Sequence, residues 1–235
     1  MNKGKLFLIP TVISEGTEDL VISPQIRDII SELDYFLVEN VRTSRRYISK
    51  LNLGLTIEDL RFEKLDKNTN ESEVLDLLKS LETGKDIGVL SESGCPGIAD
   101  PGSLAVKMAH QKGAQVIPLS GPSSIFLALM ASGFNGQSFV FHGYVPIDQK
   151  ERVDKIRKME KDAHQKNQTQ IFMDTPYRNQ KLFEDILKNS SPASQLSVAR
   201  DITGEKEMVV TKSIKDWKKE KIDLHKTPVI FSLFY

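Results

Sequence analysis

Short apolar runs alternate with amphipathic stretches along the whole chain. That alternation limits it to an α/β architecture, because apolar runs bury as strands and the amphipathic stretches between them cover a sheet as helices. In the first half the pattern predicts strands at 6–9, 35–38, 60–65, 86–90 and 115–119, with helices at 24–31, 41–50, 72–82 and 102–111 between them. Pro24 stands in the first turn of its helix, where a missing N–H costs nothing. Gly84 and Gly113 stand where helices end. Regular strand–helix crossovers imply a mostly parallel first sheet.

The second half changes character. It predicts an apolar helix at 122–132, a strand at 139–143 and a long charged helix at 148–168, read as a solvated face. Strand 170–173, helix 179–188, strands 197–199 and 207–211, helix 214–219 and strand 229–234 follow. The late strands lack regular crossovers, so this sheet is expected to be mixed. The change sets a boundary near 118–121, giving two α/β domains, 1–118 and 119–235.

With 235 residues the chain is long enough for two cores. Lys plus Arg and Asp plus Glu number 32 each, so no bulk field draws the chain to nucleic acid or to an anionic membrane. The single cysteine, Cys95, rules out an intramolecular disulfide and suits a reducing, cytoplasmic setting. No apolar run reaches the length that spans a bilayer. The Lys-rich, apolar start runs into Ser-Glu-Gly-Thr-Glu-Asp at 14–19 without a cleavage pattern, so it reads as a buried strand and not a signal peptide. The glycosylation-like triplets at Asn70, Asn167 and Asn189 are then chance matches.

Several chemistries lack their motifs. There is no Gly-x-Gly-x-x-Gly after a strand, no P-loop and no nucleophile elbow. The four histidines, His110, His142, His164 and His225, do not have metal-ligand spacing, and no metal is expected.

What remains is a set of loops at strand ends. The densest, at 91–102, is Ser-Glu-Ser-Gly-Cys-Pro-Gly-Ile-Ala-Asp-Pro-Gly. Ligands of open α/β sheets sit beyond the carboxyl ends of strands. Gly94 and Gly97 let backbone approach a ligand closely, and Glu92 can accept hydrogen bonds. Asp100 and Pro101 read as an ordinary helix start. Residues 118–124, Pro-Leu-Ser-Gly-Pro-Ser-Ser, join another strand to a helix whose free N–H groups can hold a carboxylate; a plain capped helix accounts for them equally well. Residues 38–45, Val-Glu-Asn-Val-Arg-Thr-Ser-Arg, place Glu39, Arg42 and Arg45 at a strand end, suited to a polar substrate or phosphate, or to a surface salt-bridge set. Residues 141–146 and 173–178 read as strand-to-loop exits, each with a proline.

Taken in order, these segments resemble the tetrapyrrole methylase family, the class III S-adenosylmethionine-dependent methyltransferases. They are most similar to its ribosomal RNA small subunit methyltransferase I branch. That branch shows Glu-Asp-Thr-Arg where this chain has Glu39-Asn40-Val41-Arg42. It shows Ser-Asp-Ala-Gly-Thr-Pro-x-Ile-Ser-Asp-Pro-Gly against 91–102, and Pro-Gly-Pro-Ser against 120–123. Phe-x-Gly-Phe-x-Pro corresponds to 141–146, Tyr-Glu-Ser-Pro-His-Arg to 173–178, and Ala-Arg-Glu-Leu-Thr to 199–203. This chain departs from the branch at 9–13, Ile-Pro-Thr-Val-Ile in place of Thr-Pro-Ile-Gly-Asn, and at Asn40, Val41 and Glu92.

The resemblance implies two α/β domains with a cofactor cleft between them, 1–118 on the substrate side and 119–235 on the cofactor side, in a homodimer. It implies S-adenosyl-L-methionine as cofactor, held near Pro10, Glu92, Gly94, Cys95, Pro96, Ser123, Ser124, Met173, Asp174, Thr227 and Pro228. It implies ribosomal RNA as substrate, methylated on a cytidine ribose 2′-oxygen. Glu39 or Asp174 would orient the acceptor, with Arg42, Thr43, Arg45 and Arg178 gripping the substrate. Two other readings stand beside it: a methyltransferase acting on a small molecule such as a tetrapyrrole or on a protein side chain, and a non-catalytic nucleotide- or RNA-binding module.

Overall fold

The computed structural model describes residues 3–235; residues 1 and 2, which open the expected first domain, lie outside it. The chain divides into two compact units, Met1–Ser123 and Ser124–Tyr235.

The first unit runs β1 (Lys5–Ile9), α1 (Glu18–Val21), α2 (Pro24–Glu32), β2 (Tyr35–Val38), α3 (Val41–Lys50), β3 (Arg61–Lys64), α4 (Glu71–Leu77), β4 (Ile87–Leu90), α5 (Gly102–Gln111) and β5 (Gln115–Pro118). Its strands form one parallel sheet in the order β3-β2-β4-β1-β5. β2 and β4 are buried at every position because both faces are covered. Alternate side chains enter two separate cores. Leu6, Tyr35, Leu37, Ile87 and Val89 meet α4 and α5, while Phe7, Ile9, Phe36, Val38 and Leu90 meet α2 and α3. Gly88 is required between them: a Cβ there would lie 2.8 Å from Phe36 and 2.9 Å from Ile9.

The helix after β4 covers the opposite face from the helices after β1 and β2, its two neighbours in the sheet. The chain therefore diverges at the carboxyl ends of these three strands, the place where open α/β sheets form a ligand crevice.

The second unit runs α6 (Ser124–Ser132), β6 (Phe139–Tyr144), α7 (Gln149–Lys166), β7 (Thr169–Met173), α8 (Asn179–Asn189), β8 (Gln195–Arg200), β9 (Met208–Ser213), α9 (Ile214–Trp217) and β10 (Val229–Phe234). The sheet is mixed, in the order β6-β7-β10-β8-β9. β6 and β7 are parallel across the α7 crossover, and the other pairs are antiparallel. Its core stacks Phe172 on Phe231 and sets Phe183 edge-on to Trp217, whose indole N–H donates to the Leu196 carbonyl at 2.8 Å.

Three local expectations change. The helix expected at 72–82 stops at Leu77 and continues as a 3₁₀ turn, Lys79–Thr83, closed by Gly84 at φ 87°. Its start is set by a capping box between Asn70 and Glu73. The one-turn α1 went unpredicted because four residues carry no period. α7 is more than a solvated face: Arg152, Ile156, Met159 and Ala163 form a buried stripe at helical spacing. Among the described residues, no helix is long and apolar enough to cross a membrane.

Candidate active site

In the first unit, the loops after β1, β4 and β5 are tied together. The Thr11 amide donates to the Gly94 carbonyl at 2.9 Å. The Ser91 hydroxyl donates to the same carbonyl at 2.6 Å, and Thr11 Oγ1 lies 3.3 Å from Ser91. Cys95 Sγ donates to the Pro122 carbonyl at 3.4 Å, and burial raises the thiol pKa, the reverse of what a nucleophile needs. Gly94 adopts φ 70°, and a Cβ there would sit 3.3 Å from the Pro122 carbonyl. At Gly121 a Cβ would lie 2.4 Å from the Pro10 ring. Main chain thus lies close-packed around Pro10, Gly94, Cys95 and Pro122. Asp100 does not cap α5 as a regular N-cap; Pro101 precedes the helix, and the Asp100 carboxylate instead accepts from the Gly97 and Gly102 amides at 3.0 and 2.7 Å. Pro96 is buried within this loop.

Glu39 directly follows β2, and Glu92 lies within this loop two residues past β4. Both have raised pKa values. Desolvation is the first cause in each case, followed for Glu39 by the negative charges of Asp100 and Asp66, and for Glu92 by those of Glu39 and Asp100. The site is electronegative, and a cation would relieve it.

α3 carries the expected substrate residues. Asn40 caps it, accepting from the Arg42 and Thr43 amides at 3.0 and 3.2 Å. Arg42 and Thr43 are exposed in the first turn, while Arg45 lies 5.8 Å from the centre of the Phe62 ring. Arg46 and Lys50 are paired with Glu15, at 2.9 and 3.2 Å. Sequence reasoning missed Glu15, which lies in a loop distant in sequence from α3. A cavity of about 100 Å³ opens between α3 and the loops, lined by Thr11, Ile13, Thr43, Tyr47, Ser91 and Glu92 among others.

In the second unit, Met173, Asp174, Thr227 and Pro228 gather at one end of the sheet. Met173 ends β7 opposite Ile230. Asp174 is 5% exposed. Its Oδ1 accepts from Arg178 Nε at 2.8 Å, from Arg178 Nη2, and from the Thr175 amide at 2.7 Å. Its Oδ2 is buried without a partner, an unmet acceptor that a ligand donor would satisfy. Asn179 Nδ2 donates to the Thr227 carbonyl at 2.7 Å, leaving its own Oδ1 buried and unpartnered. The Pro228 carbonyl accepts from the Asp201 amide at 3.0 Å. Ser123 and Ser124 stand where the two units adjoin in sequence, Ser124 being the first residue of α6.

The family model of the tetrapyrrole (corrin/porphyrin) methylases matches residues 21–217. The chain is 29% identical over 198 residues to ribosomal RNA small subunit methyltransferase I of Vibrio cholerae, covering 84% of this chain and 65% of that protein. The namesake protein of Thermotoga maritima is 29% identical over 200 residues, covering 85% and 84%. That of Bacillus subtilis is 28% identical over 211 residues, covering 90% and 64%. This chain thus spans just under two thirds of the Vibrio and Bacillus relatives. Among solved structures, the crystal structure of the methyltransferase CobJ superposes with a TM-score of 0.64 at 15% identity, covering 99% of this chain and 94% of that one.

Proposed function

Because the chain belongs to the tetrapyrrole (corrin/porphyrin) methylases, we propose that it is an S-adenosyl-L-methionine-dependent methyltransferase acting on small-subunit ribosomal RNA, at a cytidine ribose 2′-oxygen. What carries this reading is the match over residues 21–217, together with relatives that bear the ribosomal RNA small subunit methyltransferase I name along most of this chain. The residues present suit the cofactor. Gly94 keeps the loop open where a Cβ would crowd it, and Glu39 and Glu92 sit in surroundings that favour a positive ligand. Asn179 Oδ1 offers a buried, unpartnered acceptor. We assign the cofactor to Pro10, Glu92, Gly94, Cys95, Pro96, Ser123, Ser124, Met173, Asp174, Thr227 and Pro228.

When bound, S-adenosyl-L-methionine supplies a methyl already activated on a sulfonium, so no covalent nucleophile is required of the protein. The chain's own residues align the acceptor and exclude water. Asp174 is held rigid by Arg178 with one oxygen free, which suits it to orient a hydroxyl. Arg178 therefore acts on Asp174 and does not serve as a loose phosphate clamp. Arg42, exposed on α3, is the better phosphate contact, with Thr43 and Arg45 beside it. A homodimer in the cytoplasm completes the reading; Phe126 and Met130, 55% and 77% exposed one turn apart on α6, supply an apolar face for the second copy.

Titration calorimetry with S-adenosyl-L-homocysteine, followed by transfer of labelled methyl to small ribosomal subunits and nucleoside analysis, tests the proposal. A ribose-methylated cytidine is expected. Arg42→Ala should weaken RNA binding and lower its salt slope by about one, while leaving cofactor affinity unchanged. Cofactor binding with transfer only to a macrocycle or a protein would replace RNA as the substrate, and no cofactor binding at all would leave only the binding-module reading.

A further inference from the structure

Tyr177 is 70% exposed, far more than an aromatic ring needs to be when an adjacent core is available. It lies in the turn between β7 and α8, three residues beyond Asp174. Its ring meets that of His225 edge-on, with centroids 6.5 Å apart at 78°. His225 belongs to the loop before β10, and the two segments are cross-tied. The Lys226 amide donates to the Pro176 carbonyl at 3.0 Å, and Asn179 Nδ2 donates to the Thr227 carbonyl at 2.7 Å.

Each segment is also braced internally. The Arg178 amide donates to the Thr175 carbonyl at 2.9 Å, the His225 amide to Asp223 Oδ1 at 2.9 Å, and Thr227 Oγ1 to the His225 carbonyl at 3.2 Å. Lys226 is held at φ 56°, uncommon for a non-glycine residue, and both His225 and Lys226 are exposed. The ring is therefore not on a loose loop. It is preorganised, largely open to solvent and met edge-on by a second ring, with the exposed Lys226 next to that ring in sequence.

We propose that Tyr177, braced by His225, is a stacking platform for a nucleobase of a single-stranded RNA segment, with the exposed Lys226 of the same cross-tied loop available to the backbone. Single-stranded RNA is recognised by stacking unstacked bases on aromatic rings beside cations, and the contact tolerates any base because every base has a π-face. The proposal rests on the ribosomal RNA reading above and extends it. It gives the second unit a part in holding substrate, next to the carboxylate assigned to the acceptor. A nucleobase is also present in the cofactor, so the experiment separates the two sources.

Fluorescence anisotropy with a labelled single-stranded RNA of about ten nucleotides measures the first, and calorimetry with S-adenosyl-L-homocysteine the second. Tyr177→Ala should weaken RNA binding about 5- to 100-fold, the range for loss of one stacked base. Tyr177→Phe should bind within about twofold of the parent, since the face and not the hydroxyl does the stacking. Because stacking releases no counterions, the ratio between parent and Tyr177→Ala should stay constant as salt rises. Tyr177→Trp should show fluorescence quenching on RNA addition. Unchanged RNA affinity in Tyr177→Ala, no RNA affinity in the parent, or a loss confined to cofactor binding would each overturn the platform. Methyl transfer to ribosomal RNA with an unaltered KM in Tyr177→Ala would reject the platform and keep the function. Stacking without any methyl transfer would reject the function and keep the platform.

Discussion

Glu39 and Glu92 carry an electrostatic cost at neutral pH. Desolvation and neighbouring carboxylates raise both pKa values, and for Glu39 the opposing charges of Lys67 and Lys64 offset only part of the shift. A carboxyl with a raised folded pKa holds its proton longer in the folded chain than in the unfolded one. It therefore favours folding below its unfolded pKa, and that advantage is lost as the pH rises through the folded value. Glu39→Gln should thus raise the melting midpoint at pH 7, and the gain should disappear as the pH falls below the ordinary carboxylate value of 4.5. Thermal melts across that range check it; an equal gain at every pH would mean that burial and Asp100 do not act on this charge. Glu39 and Arg42 could be read as candidates from the sequence because charged residues directly after an apolar strand are conspicuous. The spacing of residues could not reveal that Arg46 is already paired with Glu15, or that Arg45 leans on Phe62, since both depend on which loops fold back on α3.

α7 shows how charge can hide a packing face. Its sequence is dominated by Lys, Glu, Asp and Arg, and one member of its buried stripe is itself charged. Arg152 Nε and Nη2 donate to Asp185 Oδ2 on α8 at 2.9 and 2.7 Å, and Nη1 donates to the Pro146 and Ile147 carbonyls. The fork is satisfied on every side, which is the condition under which a buried pair is tolerated. Asp185→Ala should cost about 3–5 kcal/mol by stranding the guanidinium, whereas Arg152→Met with Asp185→Leu should recover most of that loss. Urea midpoints of the two variants make the comparison; equal losses would mean that packing and not the unpaired charge sets the cost. By contrast, β2 and β10 were legible residue for residue, because a short run that is apolar throughout, or broken only by Ser232, has no other place to go.

For the whole molecule, Phe126 and Met130, exposed one turn apart on one helix, form an apolar patch suited to a partner. α6 is apolar on every side. Its inner side lies against β8, β9 and β10, with the Ser132 carbonyl accepting from Thr211 Oγ1 at 2.9 Å. Sedimentation should find a dimer, and Met130→Glu should shift it to monomer without changing the melting midpoint by more than about 2 °C. A parent that sediments as a monomer at micromolar concentration rejects the dimer.

The sequence alone determined the alternation of buried strands and covering helices, the parallel character of the first sheet, the mixed character of the second, and the glycine- and proline-rich loops at the strand ends. Those follow from local chemistry: where apolar residues run together, where glycine and proline stop a helix, and which residues cap one. Tertiary structure alone decided which charges neutralise one another, that Asp174 keeps one oxygen free, and that His225 comes to rest against Tyr177. The Glu15–Arg46 pair and the His225–Tyr177 contact join residues from separate segments that only tertiary folding brings within the few ångströms over which hydrogen bonds and ring contacts act, and the burial of Asp174 likewise depends on the packing around its turn.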